Sequence, residues 1–177
     1  MKLEYILEEK DFIDYHLFSI SENRKTRKLM NTTKYILVGV FLFIGMNMYN
    51  RNNVEFAIIL GIAVILTLFF FDKLYKSKLR NHFSKIVKNN YSKNIGEKQT
   101  MEFTAEYLIT EDKTGEGKTK ISETEQIDET QNNFFIKLSN GSSFVVSKNG
   151  IDNLEQIKKK WNELNIPISE NLDWEWK

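Results

Sequence analysis

Two apolar runs stand back to back, residues 35–48 (YILVGVFLFIGMNM) and residues 54–71 (VEFAIILGIAVILTLFFF), with only Tyr49, Asn50, Arg51, Asn52 and Asn53 between them. No other feature restricts the fold so strongly. The second run holds a single charge, Glu55, at its edge. As a helix it spans about 27 Å, close to the ~30 Å hydrocarbon core of a bilayer. It is apolar all round rather than striped, which suits lipid and not the surface of a soluble domain. The first run is shorter and reaches spanning length when extended to residues 32–49. Lys34 then snorkels at one interface, beside Thr32 and Thr33, while Asn47 and Tyr49 lie near the other. The opposing reading, a soluble protein built around a buried hairpin, demands an unusual concentration of Ile, Leu and Phe in two unstriped stretches. A cleaved signal peptide fits poorly, because no small-x-small site follows the first run.

Charge divides the chain into three parts. Residues 1–21 carry two Lys against five acids, residues 22–93 thirteen Lys and Arg against three acids, and residues 94–177 ten Lys against sixteen acids. The formal net charge of +1 therefore conceals strong segregation. Arg24, Lys25, Arg27, Lys28 and Lys34 precede the hairpin; Lys73, Lys76, Lys78, Arg80 and Lys85, with Lys88 and Lys93, follow it. The connecting loop holds only Arg51. Basic flanks and a nearly uncharged loop orient a hairpin with both chain ends in the cytoplasm. The first ten of those residues are the expected headgroup contacts at an anionic leaflet. Bases placed beside membrane spans argue against a nucleic-acid partner. Within the hairpin, Ala57 and Gly61 lie four apart on one helical face. This small-residue pair is expected to pack closely, against Gly39 or Gly45 of the first span or against a second copy of the chain in a homo-oligomer.

The regions outside the hairpin follow soluble patterns. Residues 2–7 (KLEYIL) read as a strand and residues 11–23 as a helix, apolar over most of its surface, that either packs on the C-terminal domain or lies in the lipid interface. His16, set among apolar neighbours, reads as a packed or partly exposed histidine rather than a metal ligand. Residues 72–90 continue as a basic amphipathic stem with Tyr75, Leu79, Phe83 and Ile86 on one face, followed by a linker to residue 96. From residue 97 the period becomes two. Residues 100–104, 107–110, 119–122 and 125–130 read as strands, with a turn over 112–118. Residues 134–138 and 144–146 flank Ser139-Asn140-Gly141-Ser142, a strong hairpin signal, with Ile136 opposite Val145 and Lys137 opposite Phe144. Asp152 and Glu155 suggest a capping box opening a final helix whose inner face is Leu154, Ile157, Trp161 and Leu164, ended by Pro167. The expected division is therefore residues 1–33 (strand, helix and basic segment), 34–71 (hairpin), 72–96 (stem and linker), 97–166 (β-domain with terminal helix) and 167–177 (tail), with residues 97–177 folding as a soluble unit. The fold class is α+β: a two-helix transmembrane hairpin plus a small antiparallel β-domain closed by a helix.

This order of parts resembles the YcxB-like family of small bacterial membrane proteins. The resemblance is carried by residues 3–12 (LEYILEEKDF), 103–108 (FTAEYL) and 145–148 (VVSK). The chain departs from the family pattern at Ser122-Glu123, where a Trp is frequent, and at Val146-Ser147-Lys148, where Ile-Pro-Lys is frequent. The resemblance implies a pleckstrin-homology-like domain in the cytoplasm and no particular enzyme activity. Asn-, Lys- and Ile-rich usage points the same way, to an AT-rich bacterial genome and so to a multi-pass protein of the bacterial cell membrane.

Catalytic chemistry finds little foothold. The chain has no cysteine, so thiol catalysis, disulfides and Cys-based zinc sites are excluded. Its two histidines, His16 and His82, lack metal-site spacing. Gly117-Lys118-Thr119 imitates the end of a P-loop, but Asp112 stands where the motif needs glycine. Glu123, Glu125, Asp128 and Glu129 read as a solvated strand face rather than a calcium loop. The expectation is a non-enzymatic, membrane-anchored binding or regulatory module with an unknown protein partner, the bilayer as its other partner, and no cofactor or metal. The alternative is a small membrane enzyme or transport accessory acting at the cytoplasmic bilayer face. Residues 97–166 hold nine Lys, no Arg and thirteen acids, with Lys158, Lys159 and Lys160 as the only tight basic cluster. Such a domain is not expected to hold anionic lipid by itself.

Overall fold

The computed structural model describes residues 1–92, 94–113 and 115–176; Lys93 of the basic stretch and Thr114 of the expected turn lie outside the described residues. The fold is α+β. In chain order the elements are β1 (Lys2–Ile6), α1 (Glu9–Glu22), α2 (Arg24–Asn50), α3 (Val54–Asn90), β2 (Lys98–Phe103), β3 (Tyr107–Asp112), β4 (Gly115–Lys120), a 3₁₀ turn (Ile121–Glu123), β5 (Thr124–Glu129), β6 (Asn133–Leu138), β7 (Ser143–Ser147), α4 (Leu154–Glu163) and β8 (Ile168–Glu170). They form two compact units. One comprises Met1–His16 and Phe83–Trp176; the other comprises Leu17–His82.

The first unit is a β-domain of two four-stranded sheets, ordered β1-β2-β3-β4 and β7-β6-β5-β8. All pairings are antiparallel except β5 with β8. β1 pairs with β2 from Lys2 opposite Glu102 to Ile6 opposite Lys98. Its alternation buries Leu3 and Tyr5 and exposes the residues between, the period-two pattern of a half-buried strand. The core centres on Trp161 of α4, fully buried. Its indole meets Phe103 of β2 edge-on at 5.7 Å and Phe134 of β6 at 4.8 Å, so one side chain ties the two sheets together. α1 buries Phe12 and Ile13. Phe12 stacks on Tyr91 at 4.6 Å and Tyr15 meets Phe135 edge-on at 5.5 Å, so this stretch of α1 packs on protein rather than in a lipid interface.

Several local expectations are corrected. Residues 115–118 are strand, not turn: β4 is exposed along almost its whole length, so it carries no apolar alternation to betray it. The strand expected over residues 119–122 ends at Lys120 in the 3₁₀ turn. In the β6–β7 hairpin, Ile136 faces Phe144 and Lys137 faces Ser143, one residue off the expected register. Four residues, Ser139 to Ser142, join β6 to β7, and the Leu138 N–H donates to the Ser142 carbonyl at 2.9 Å. Gly141 takes φ +83 and donates its N–H to the Leu138 carbonyl at 2.9 Å. The Asn140 carboxamide oxygen accepts from the Ser142 N–H at 2.9 Å. Asn140 therefore bonds the chain beyond it instead of entering the left-handed region that a two-residue turn requires. The capping box does not form. α4 starts at Leu154 after Asn153, whose side chain makes no cap bond. The helix stops before Pro167: Asn165, φ +56, donates to the Asn162 carbonyl and Ile166 to the Trp161 carbonyl, both at 3.0 Å, a Schellman ending with two buried apolar residues at its closing contact. The chain then adds β8, which has no counterpart in the sequence reading.

The second unit is the helical hairpin. α2 and α3 are long and apolar enough to cross a membrane, by length and composition. Their loop is only Arg51, Asn52 and Asn53; Asn52 takes φ +59, and the Asn53 side chain caps α3 by accepting the Phe56 N–H at 3.3 Å. Large apolar side chains, among them Phe43, Ile58, Ile65 and Phe69, are exposed along both helices.

Candidate functional site

A cleft of about 480 Å³ opens in the β-domain. Its aromatic walls come from Tyr5 of β1, Phe12 and Tyr15 of α1, Tyr91 and Phe144 of β7; its acidic wall comes from Glu111, Asp112 and Glu116 of the β3–β4 hairpin. The strand register sets that wall, placing Glu111 opposite Glu116 and Asp112 opposite Gly115. Asp112 is held in place: its Oδ2 accepts from Asn94 Nδ2 at 3.1 Å and its Oδ1 from the Gly115 N–H at 3.2 Å. Thr100 donates to Glu111 Oε2 at 3.4 Å. Burial, aided by the Asp112 charge, pushes the Tyr5 phenol well above its ordinary pKa of 10.0. Close by, His16 stacks flat on Phe83, with ring centroids 5.0 Å apart. Its Nε2 is buried without a hydrogen-bond partner among the described residues, and burial lowers its pKa. This is a packed histidine.

The acids read as a solvated strand face divide. Glu123 and Glu125 are exposed, whereas Asp128 and Glu129 are buried. Glu129 lies within 2.6 Å of Lys148 and 2.7 Å of Lys158; Asp128 pairs with Lys137 at 2.6 Å. β5 is an inner strand, between β6 and β8, and successive side chains point to opposite faces of a sheet, so Asp128 and Glu129 are buried on different faces and each meets its own lysine partners. Burial acts to raise the Glu129 carboxyl, but the hydrogen bonds and charges of Lys148 and Lys158 outweigh it and hold the group below its ordinary value. The Lys158–Lys160 cluster is thereby divided as well. Lys158 serves Glu129, Lys160 pairs with Glu163 at 3.4 Å, and Lys159 is exposed. No group of three His, Cys, Asp or Glu able to hold a metal ion occurs among the described residues.

In the hairpin unit, Lys34 pairs with Asp72 at 2.9 Å and its side chain is only 15% exposed, so a partner on α3 takes up the ammonium that was assigned to headgroups. Arg24, Lys25, Arg27, Lys28, Lys73, Lys78 and Arg80 are exposed and Lys76 is half-buried; Lys85, on the part of α3 that belongs to the β-domain unit, is also exposed. Arg24, Lys25 and Arg27 occupy the first turn of α2, where positive charge opposes the helix dipole. The Asn23 carboxamide oxygen caps that turn, accepting the N–H groups of Lys25 at 3.0 Å and Thr26 at 3.3 Å. Gly45 is the point of close approach: a Cβ there would lie 3.6 Å from Leu60 Cβ. Gly45, Ala57 and Gly61 line a shallow groove of about 300 Å³. At Gly39 and at Gly61 an added Cβ would meet nothing within 4 Å, so the structure does not bring these two glycines together.

The fold class that emerges is an α+β chain in which an apolar helical hairpin interrupts a two-sheet domain between its first and second strands. Residues 103–160 match the family model described as YcxB-like protein. Over this part, from the end of β2 into α4, the chain is similar to that family, as the sequence resemblance implies. No curated protein matches, and no solved structure matches.

Proposed function

We propose that this chain is a bacterial inner-face membrane module: the α2–α3 hairpin spans the cell membrane, both chain ends lie in the cytoplasm, and the β-domain is a non-enzymatic binding or regulatory module for another protein. The observation that carries the reading is the hairpin surface. Within the apolar windows of α2 and α3 only 6% and 0% of the residues are buried, the reverse of a core helix in a soluble protein. Leaving this much Ile, Leu and Phe in water is costly, at about 25 cal/mol per Å², and a bilayer removes that cost. The bases at both outer ends of the hairpin support the orientation. Two sheets bridged by the Trp161 helix support a pleckstrin-homology-like arrangement, although shape alone carries no ligand.

Single cysteines report the topology in this cysteine-free chain. Arg51→Cys avoids the left-handed backbone at Asn52 and should react with an impermeant thiol reagent on intact cells. Thr26→Cys and Ser142→Cys should be protected until lysis. Labelling at position 142 on intact cells overturns the orientation, and recovery of the full chain in the soluble fraction overturns the anchoring.

A further inference from the structure

We infer that the free edge of β4 pairs antiparallel with the same edge of a second copy of this chain, joining two β-domains through one continuous sheet. β4 ends its sheet and pairs only with β3 among the described residues. It is exposed along almost its whole length, so nothing covers either face. The Ile121 N–H donates to the Glu106 carbonyl at 2.8 Å, in the same register as the β3–β4 pairs. From that bond the antiparallel alternation runs back along the strand. Thr119 and Gly117 turn their backbone groups to β3, and the N–H and C=O groups of Glu116, Lys118 and Lys120 point outward. Such an edge is a template for another strand.

Charge names the occupant. Only outward-facing residues can bond across the new edge, so the register can change only in steps of two residues. In one register Glu116 lies opposite the partner's Lys118, and Lys118 opposite the partner's Glu116. Gly117 then meets the partner's Gly117 on the two-fold axis, at a non-hydrogen-bonded position where side chains crowd most, and neither copy has a side chain there. The next register one way sets Glu116 against the partner's Glu116; the next the other way sets Lys118 against the partner's Lys118. Like charges directly opposite are destabilising. The lysines that guard an edge against other strands therefore admit this one, and the contact is self-complementary, as a two-fold interface must be. Within one copy Glu116 already faces Glu111 on β3, a like-charge pair. The partner's Lys118 brings a cation to its other side. Lys118 is placed to respond: it is exposed and rests on the Tyr107 ring, with Nζ 3.9 Å from the centroid.

The inference stands apart from the membrane reading, because β4 belongs to the β-domain. The test uses the full chain, free of native cysteine, in detergent. Glu116→Cys, Lys118→Cys and the control Glu125→Cys are oxidised with copper phenanthroline, singly and in pairwise mixtures. The mixture of Glu116→Cys with Lys118→Cys should give disulfide-linked dimer, since facing Cα atoms lie about 5.5 Å apart in a hydrogen-bonded pair. Either variant alone should give little, because like positions then stand beyond the ~7 Å limit for a disulfide. Sedimentation equilibrium reads the charges. Glu116→Lys or Lys118→Glu alone should weaken the dimer by about tenfold or more, and both reversals in one chain should restore it. A chain that stays monomeric at high micromolar concentration overturns the inference. So does a dimer whose 116–118 mixture cross-links no better than the control, the result expected of association through the hairpin, and so do reversals that fail to rescue each other.

Discussion

Removing the first sixteen residues should unfold the β-domain, although they lie far from it in sequence. Residues 97–177 alone were the natural fragment to expect as a soluble unit. β1, however, fills one side of β2 over five paired positions, and the chain's amino terminus donates to the Phe103 carbonyl at 2.8 Å. The first sixteen residues contribute Leu3, Leu7, Phe12 and Ile13 to the core, each no more than 7% exposed. Fully burying such a side chain is worth about 1.5–3 kcal/mol, so these four contribute roughly 6–12 kcal/mol, an upper estimate because denatured chains are partly compact. A domain's whole stability is about 5–15 kcal/mol. The fragment 97–177 should therefore lack a cooperative urea transition and show poorly dispersed amide resonances. Joining residues 1–16 to 83–176 through a short Gly/Ser linker should restore both, since the His16 and Phe83 rings already lie 5.0 Å apart. A cooperative transition in the fragment, at a midpoint matching that of the fusion, would refute the reasoning.

The hairpin-less fusion also serves the remaining tests. Trp161→Ala should cost about 3–5 kcal/mol, read as a lower urea midpoint, because it empties the space between Phe103 and Phe134. Glu129 has a depressed carboxyl pKa in the fold, so its contribution is present above the ordinary value of 4.5 and lost as pH falls below it; Glu129→Gln should flatten that acid limb of a stability–pH profile. His16 has its pKa lowered by burial from 6.5, so the fold loses stability as pH falls through and below that value, and His16→Phe should remove the dependence. The fusion should not sediment with anionic vesicles at physiological salt, because Lys158 and Lys160 are already paired; sedimentation abolished by Lys158–Lys160→Gln would show a lipid site.

The sequence by itself determined the features that depend on neighbours along the chain. Unstriped apolar runs and a polar loop mark α2 and α3, since length and uniform hydropathy are local properties. Period-two burial at Leu3 and Tyr5 marks β1, and the helical spacing of Ile157 and Trp161 marks the buried face of α4. Asn140-Gly141 places the β6–β7 turn. Aromatic residues of the later cleft are visible one by one, but nothing along the chain says that Tyr5 and Glu111 line the same cleft.

Tertiary structure decided what depends on partners distant in sequence. The turn register followed from which hydrogen bond the Asn140 side chain made, and that slid the pairing by one residue. β4 carried no alternation because both of its faces are open to water, and β8 is too short to announce itself without β5 beside it. Asp128 and Glu129 read as surface acids because charge is expensive to bury; Lys137, Lys148 and Lys158, contributed by β6, the segment after β7 and α4, are what make that burial affordable. The largest such decision joined β1 to β2 across the whole hairpin, because a strand's edge hydrogen bonds are satisfied by whichever strand packing brings alongside, whatever the length of chain between them.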